Sequence, residues 1–254
     1  MPHAENGGVR IHYRVEGSGA PLVLQHGFSD CLETWYDLRY VEGLKSARQL
    51  ILIDARGHGA SDKPHETAAY AWRLQAADVV AVMQALSIAR ADFFGYSMGG
   101  QIGFAMARHA PERLRGLIIG GAAGAGLARA GDRLLAALEA GGVEALPGIW
   151  GVPLPPALHA RLLTNDIAAL KASRADNPGF ADGFRTMLMP CVVFAGTADP
   201  ICGAAEAAAA QIPNASFFSL PGLGHVDTLL RTELVLPRVT AFLGQLDHAG
   251  VGGR

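Results

Sequence analysis

What the chain lacks narrows its class. Cysteine is rare, with three among 254 residues. Cys31, Cys191 and Cys202 share no C-x-x-C or Cys/His spacing, so neither a disulfide framework nor a zinc site is expected, and a reduced, cytoplasmic setting is. Charge is low and balanced: 17% of residues are charged, with 21 Lys and Arg against 23 Asp and Glu. That balance leaves no basic stripe, so nucleic acid is not an expected partner. The opening MPHAENGG has no apolar stretch of the kind a secretory signal needs. The longest uncharged apolar-rich run, 116–128, falls short of the roughly 20 residues that span a bilayer, so no membrane association is expected.

Glycine and apolar residues are abundant instead. Hydrophobic residues make up 50% of the chain, and glycine fills 32 positions. The glycines keep no period of three, which excludes a collagen-like rod, and the apolar fraction is too high for a disordered chain. Short apolar runs at 22–26, 50–53, 92–96, 117–120, 191–195 and 216–220, bounded by turn residues, read as buried parallel strands. Residues 9–15 alternate in polarity and read as a half-buried strand after an Asn6-Gly7 turn signal. Helical stretches lie between them at 70–86 (with Leu74, Ala77, Val80, Ala81 and Leu86 at helical spacing), 98–109, 203–210 and 228–246. This alternation predicts an α/β protein with a mostly parallel, doubly wound sheet of about eight strands.

Residues 122–189 break the rhythm. Helical stretches at 132–140, 157–172 and near 178–188 follow one another without a strand, the first with Asp132 placed to cap its start and Gly141 just past its end. The expected organisation is a core of residues 1–121 and 190–254, with a small helical lid, 122–189, inserted after the sixth strand.

One pentapeptide carries chemistry. Gly95-Tyr96-Ser97-Met98-Gly99 follows a strand and opens a helix, the context that a G-x-S-x-G nucleophile elbow requires. Such a tight turn holds the serine in a strained backbone conformation. Glycine on either side leaves room where a Cβ would collide with neighbouring chain. The adjoining helix N-terminus favours a developing oxyanion.

Further landmarks are His26-Gly27-Phe28 after one strand, the segment from Asp54 to Asp62 (DARGHGASD) after the next, Gly196-Thr197-Ala198-Asp199, and Gly224-His225. With Gly95 to Gly100 they make the chain resemble an α/β-hydrolase of the small, lid-bearing esterase, lactonase or perhydrolase type. The resemblance runs over nearly the whole chain and is weakest over 122–189. It implies Ser97 as nucleophile, His225 as general base and Asp199 as the acid that orients it, in the chain order expected of this fold. Some relatives carry the acid after the preceding strand, but residues 120–124 hold no carboxylate. The resemblance also implies an oxyanion hole made by the backbone N–H groups of Phe28 and Met98. His26 and His58 are expected to shape turns, Asp54 and Arg56 to be structural, and Asp227 to be a loop or helix-cap residue. Serine at the elbow, where dehalogenases and epoxide hydrolases carry aspartate, favours acyl transfer.

The expected activity is hydrolysis of small carboxylic esters or lactones with no cofactor and no metal. Perhydrolase chemistry, carbon–carbon bond hydrolysis and a ligand-binding protein with a slow triad are the alternatives, and the sequence leaves monomer and homo-oligomer equally open. Trp35, Tyr96, Trp150, Leu154 and Val226, with Phe28 and Met98, are candidate pocket residues. An inward-facing cation among Arg129, Arg133, Arg161, Lys171, Arg174 and Arg185 would favour a carboxylate-bearing substrate; a neutral short-chain ester is expected otherwise.

Overall fold

A computed structural model of the protein describes residues 1–128, 130–151 and 153–251, the side chains of 249–251 excepted. Its strands are β1 (His3–Asn6), β2 (Val9–Glu16), β3 (Ala20–Gln25), β4 (Arg48–Ile53), β5 (Ala91–Tyr96), β6 (Leu114–Gly120), β7 (Cys191–Gly196) and β8 (Ala215–Leu220). They form one eight-stranded sheet in the order β1-β2-β4-β3-β5-β6-β7-β8. The β1–β2 and β2–β4 pairs are antiparallel, and every later pair is parallel. The expected mostly parallel, doubly wound α/β sheet is therefore the fold.

The helices are α1 (Glu33–Asp37), α2 (Tyr40–Leu44), α3 (Trp72–Ala85), α4 (Met98–His109), α5 (Arg133–Gly141), α6 (Leu146–Trp150), α7 (Pro156–Leu162), α8 (Ile167–Ser173), α9 (Cys202–Ala209), α10 (His225–Leu230) and α11 (Thr232–Val251). Two apolar layers sandwich the sheet. Phe93, Val23 and Ile51 pack with α3, α4 and α9, while their neighbours Phe94, Leu24 and Leu52 pack with α2 and α11. Burial on both faces is why these strands read as unbroken apolar runs rather than as alternating ones. Among the described residues, no helix is long and apolar enough to cross a membrane.

Four local expectations need correction. The strand β1 was not anticipated, because HAEN is polar; it pairs with β2 across a turn whose Gly7 and Gly8 both take positive φ, as a two-residue hairpin of the right twist requires. The buried face of α3 is Trp72, Gln75, Ala76, Asp78, Val79, Val82 and Met83, not the stripe through Leu74 and Ala77. The polar pair on that face is satisfied internally: Asp78 holds Arg56 and Gln75 donates to the Tyr70 carbonyl. The single stretch expected at 157–172 is two helices, α7 and α8, because the Asp166 carboxylate accepts from the Ala169 N–H and starts a new one.

Between β6 and β7, α5 to α8 follow one another with only an isolated bridge, Leu127 to Asn177, as β-structure among the described residues. Asp132 caps α5 by accepting from the N–H groups of Leu134 and Leu135. Gly142, rather than Gly141, takes the positive φ at the end of that helix.

Candidate active site

Parallel strands deliver their C-terminal ends to one edge of the sheet, and the loops beyond them build the site. Ser97 follows β5, Asp199 lies three residues past β7, and His225 opens α10 after β8. Ser97 has φ 55° and ψ −113°, an uncommon conformation for a residue with a side chain. Its N–H is tied to the Gly120 carbonyl at 2.8 Å. The turn closes because both flanking positions are glycine. A Cβ on Gly95 would lie 2.1 Å from the Gly99 carbonyl oxygen, and one on Gly99 would lie 2.1 Å from that of Gln25.

The three side chains meet in a line. His225 Nε2 lies 2.9 Å from Ser97 Oγ, and His225 Nδ1 lies 2.6 Å from Asp199 Oδ2. A carboxylate only accepts, so Nδ1 carries the imidazole proton and Nε2 presents its lone pair to the serine hydroxyl. The other Asp199 oxygen takes the Ile201 N–H at 3.1 Å. Asp199 is 1% exposed and His225 27%, so the acid is sealed while the imidazole opens outward. Two tyrosines pin the helix that carries His225. Tyr96 Oη donates to the His225 carbonyl at 2.5 Å, and Tyr40 Oη to the Leu229 carbonyl at 3.0 Å. Asp227 accepts from the Gly224 N–H at 3.3 Å and so caps the same helix.

Beside this line runs the loop after β3. His26 shapes it, donating from Nδ1 to the Gly27 carbonyl at 2.8 Å and accepting the Ala55 N–H at Nε2 at 3.0 Å. Ser29 has φ 60° and donates to the Phe28 carbonyl at 2.7 Å. Among the described residues, the Phe28 N–H reaches no backbone carbonyl, and Met98 opens α4, where an N–H has no intrahelical acceptor. The segment between β6 and β7 leans on this loop: Asn165 Nδ2 donates to the Ser29 carbonyl at 2.8 Å, and the Arg174 guanidinium lies 5.1 Å from the centre of the Phe28 ring.

A cavity of about 480 Å³ opens over Ser97 and His225, within the size range of small-molecule sites. Leu134, Ile149, Trp150, Leu154, Leu158 and Leu162 wall one side of it; Ile201, Val226 and Leu229 wall another. Phe28, Tyr96, Trp150, Leu154 and Val226 line this cavity. Trp35 does not. It is 1% exposed, with its ring 5.2 Å from Tyr40 and 5.1 Å from Phe94, in the core beneath α2. The Met98 side chain packs in the core as well.

Of the cations named for the 122–189 segment, Arg133 lines the cavity. Arg161 pairs with Asp37 at 2.5 Å and Arg174 with Asp132 at 2.7 Å. Arg185 is exposed, and Arg129 lies outside the described residues. Asp30 also lines the cavity and was not anticipated. Burial holds its carboxyl above the ordinary carboxylate range, against the opposing pull of His26, Thr34, the Cys31 N–H and Arg161. Its one sequence signal is its place in the turn that His26-Gly27-Phe28 begins.

The DARGHGASD segment stands apart from the cavity. Asp54 accepts from His12 Nδ1 at 2.7 Å, from the Leu32 N–H at 2.8 Å and from the Ala60 N–H at 2.9 Å. Arg56 forms a buried pair with Asp78 at 2.5 Å and donates to the Ala69 carbonyl.

Known proteins resemble this arrangement. The sequence model of the alpha/beta hydrolase fold matches residues 20–137. The 2-hydroxymuconate semialdehyde hydrolase of Pseudomonas sp. (strain CF600) is 30% identical over 191 residues, which cover 71% of this chain and 62% of that protein. The dihydrolipoyllysine-residue acetyltransferase component of the acetoin cleaving system of Pseudomonas putida is 32% identical, over 94% of this chain and 68% of its own length. The chain thus spans about two thirds of the length of these relatives. A solved N-acyl homoserine lactone degrading enzyme superposes with a TM-score of 0.79 at 29% identity, covering 95% of this chain and 100% of that one.

Proposed function

The chain belongs to the α/β-hydrolase fold family, and within it we propose a serine hydrolase that cleaves carboxylic ester or lactone bonds of small substrates. The observation that carries this reading is the unbroken line Asp199–His225–Ser97 ending at the 480 Å³ cavity. Ser97 Oγ attacks the acyl carbon while its proton passes to His225 Nε2. Asp199 holds the ring in the required tautomer and stabilises the imidazolium. The N–H groups of Phe28 and Met98 receive the oxyanion, where each donor typically lowers the barrier by about 2.7–4 kcal/mol. The imidazolium then returns the proton to the leaving alkoxide. Water, activated by His225, releases the acid from the acyl-enzyme.

The largely aliphatic wall favours an ester or lactone with an apolar portion. The segment 122–189 acts as the lid of this site, supplying that wall from α5, α6 and α7. The structural likeness to a lactone-degrading enzyme supports the lactone half of the reading.

The test is turnover of p-nitrophenyl esters of rising chain length and of a small lactone panel, beside Ser97→Ala. The expected result is hydrolysis that falls by about 10⁵-fold or more in Ser97→Ala, with a fluorophosphonate probe labelling Ser97 in the parent alone. Turnover that survives in Ser97→Ala would sink the mechanism.

A further inference from the structure

The cavity wall carries two charged side chains besides Asp199, and they differ in kind. Arg133 comes from the first turn of α5 and is exposed, so solvent meets its charge. Asp30 comes from the loop after β3, two residues from Phe28, and is partly buried.

The surroundings of Asp30 fix one of its oxygens and leave the other. Oδ1 accepts the Cys31 N–H at 2.9 Å and the Thr34 hydroxyl. Thr34 Oγ1 in turn accepts from Arg161 Nη2 at 3.1 Å, and Arg161 is anchored by Asp37 at 2.5 Å. A hydroxyl has a single proton; once Thr34 accepts from arginine, that proton is committed to Asp30. The chain Arg161–Thr34–Asp30 is therefore polarised in one direction, which strengthens each bond and holds the carboxylate still. Among the described residues, no donor reaches Oδ2.

A carboxylate oxygen against an aliphatic wall is costly to strip of water unless a donor replaces it. A substrate that fills this cavity must therefore either bring a donor to Oδ2 or bind at a penalty. We infer that Asp30 is a specificity-determining residue that receives an N–H or O–H donor on the substrate near its scissile carbonyl, so that the preferred ester or lactone is one substituted with an amide, hydroxyl or ammonium group. The aliphatic wall takes the rest of the molecule. This inference rests on the reading of Ser97 as nucleophile.

Two matched pairs test it at pH 8. p-Nitrophenyl N-acetylglycinate and p-nitrophenyl 4-oxopentanoate differ by N–H against CH₂. α-Hydroxy- and α-methyl-γ-butyrolactone differ by O–H against CH₃. Within each pair kcat/KM is taken as a ratio, donor over no donor, in the parent, in Asp30→Asn and in Asp30→Leu. Intrinsic reactivity and the fraction of folded protein cancel when the ratios are compared between proteins.

The parent ratio is expected to exceed that of either variant by about 10- to 100-fold in at least one pair. Asp30→Asn keeps an acceptor for Cys31 and Thr34 but turns an NH₂ toward the cavity, so it should lose the preference as fully as Asp30→Leu does. The pair that responds tells an amide-bearing from a hydroxyl-bearing substrate.

Ratios equal within twofold across the three proteins in both pairs overturn the inference while leaving the hydrolase reading intact. Hydrolysis that persists in Ser97→Ala removes that reading instead. Should neither variant fold, the parent ratio set against the hydroxide-catalysed rates of the same compounds decides: no enhancement of the donor-bearing member overturns the inference.

Discussion

Two histidine–aspartate pairs in this chain have nearly the same geometry and opposite surroundings. His225 Nδ1 meets Asp199 Oδ2 at 2.6 Å, and His12 Nδ1 meets Asp54 Oδ2 at 2.7 Å. Both carboxylates stand just past the C-terminal ends of parallel strands, β7 and β4. The far nitrogen of His225 faces Ser97 Oγ in a ring that is 27% exposed. The far nitrogen of His12 is sealed without a partner among the described residues, in a side chain 2% exposed. Topology produces the contrast. His12 lies on β2, and the antiparallel pairing with β4 that continues past Ile53 sets it beside Asp54, whose N–H donates to the His12 carbonyl at 3.0 Å. His225 opens α10 at the C-terminal edge, where Ser97 also arrives. The pair alone therefore specifies nothing about catalysis; a reachable hydroxyl beyond the imidazole does.

The comparison breaks or stands on the two acids. Asp199→Asn leaves His225 free to take the wrong tautomer, and kcat is expected to fall by about 10⁴-fold with the melting temperature little changed. Steady-state kinetics beside a thermal melt reads both. A loss confined to stability would place Asp199 with Asp54.

The reverse is expected of Asp54→Asn. That carboxylate accepts three donors in a sealed site, and an amide would turn an NH₂ toward at least one of them. A stability loss of about 3 kcal/mol in urea unfolding is expected, with kcat per labelled active site within a few-fold of the parent. A collapse of kcat in fully folded protein would make the sealed pair part of the chemistry.

How far the sequence could be read follows the same line between patterned and unpatterned features. The parallel strands and the elbow were legible, because burial on both faces writes apolar runs and a strained turn demands glycine at fixed offsets. His225 and Asp199 were legible through position after particular strands. The edge strand β1 was hidden because HAEN needs no apolar face. The phase of α3 was misread because its buried face carries Gln75 and Asp78, which are satisfied by Tyr70 and Arg56 rather than by solvent. Trp35 was misplaced because no spacing tells an aromatic that faces a cavity from one that stacks on Tyr40 and Phe94. Asp30 had only its place after His26-Gly27-Phe28 to mark it, because the chain of hydrogen bonds that holds it runs through Thr34 to Arg161, 131 residues away in sequence.

The smallest expected effect sharpens the sealed side of the comparison by pH. His58 lies in the same buried region, its ring centre 5.4 Å from that of His26 and its Nδ1 donating to the Arg56 carbonyl at 3.0 Å. Burial, and then the nearby His26, push its pKa from the usual 6.5 down to about 3. The folded protein therefore keeps His58 neutral where the unfolded chain takes up a proton. Stability from this group is whole above pH 6.5 and falls as the pH drops toward 3, at up to about 1.4 kcal/mol per pH unit. Asp92 works the other way. Burial raises its carboxyl to about 6, so its contribution falls as the pH rises from the ordinary carboxylate range through 6. The parent's own pH profile mixes the two slopes, and a difference between proteins separates them. His58→Asn can keep the bond to Arg56 and cannot titrate. From pH 7 to pH 5 the stability advantage of the parent over this variant is expected to shrink by about 2 kcal/mol in urea unfolding. A pH-independent difference would mean that His58 takes up its proton as readily in the fold as in the unfolded chain, and the region around Asp54 would then be no dry counterpart to the open pair at Ser97.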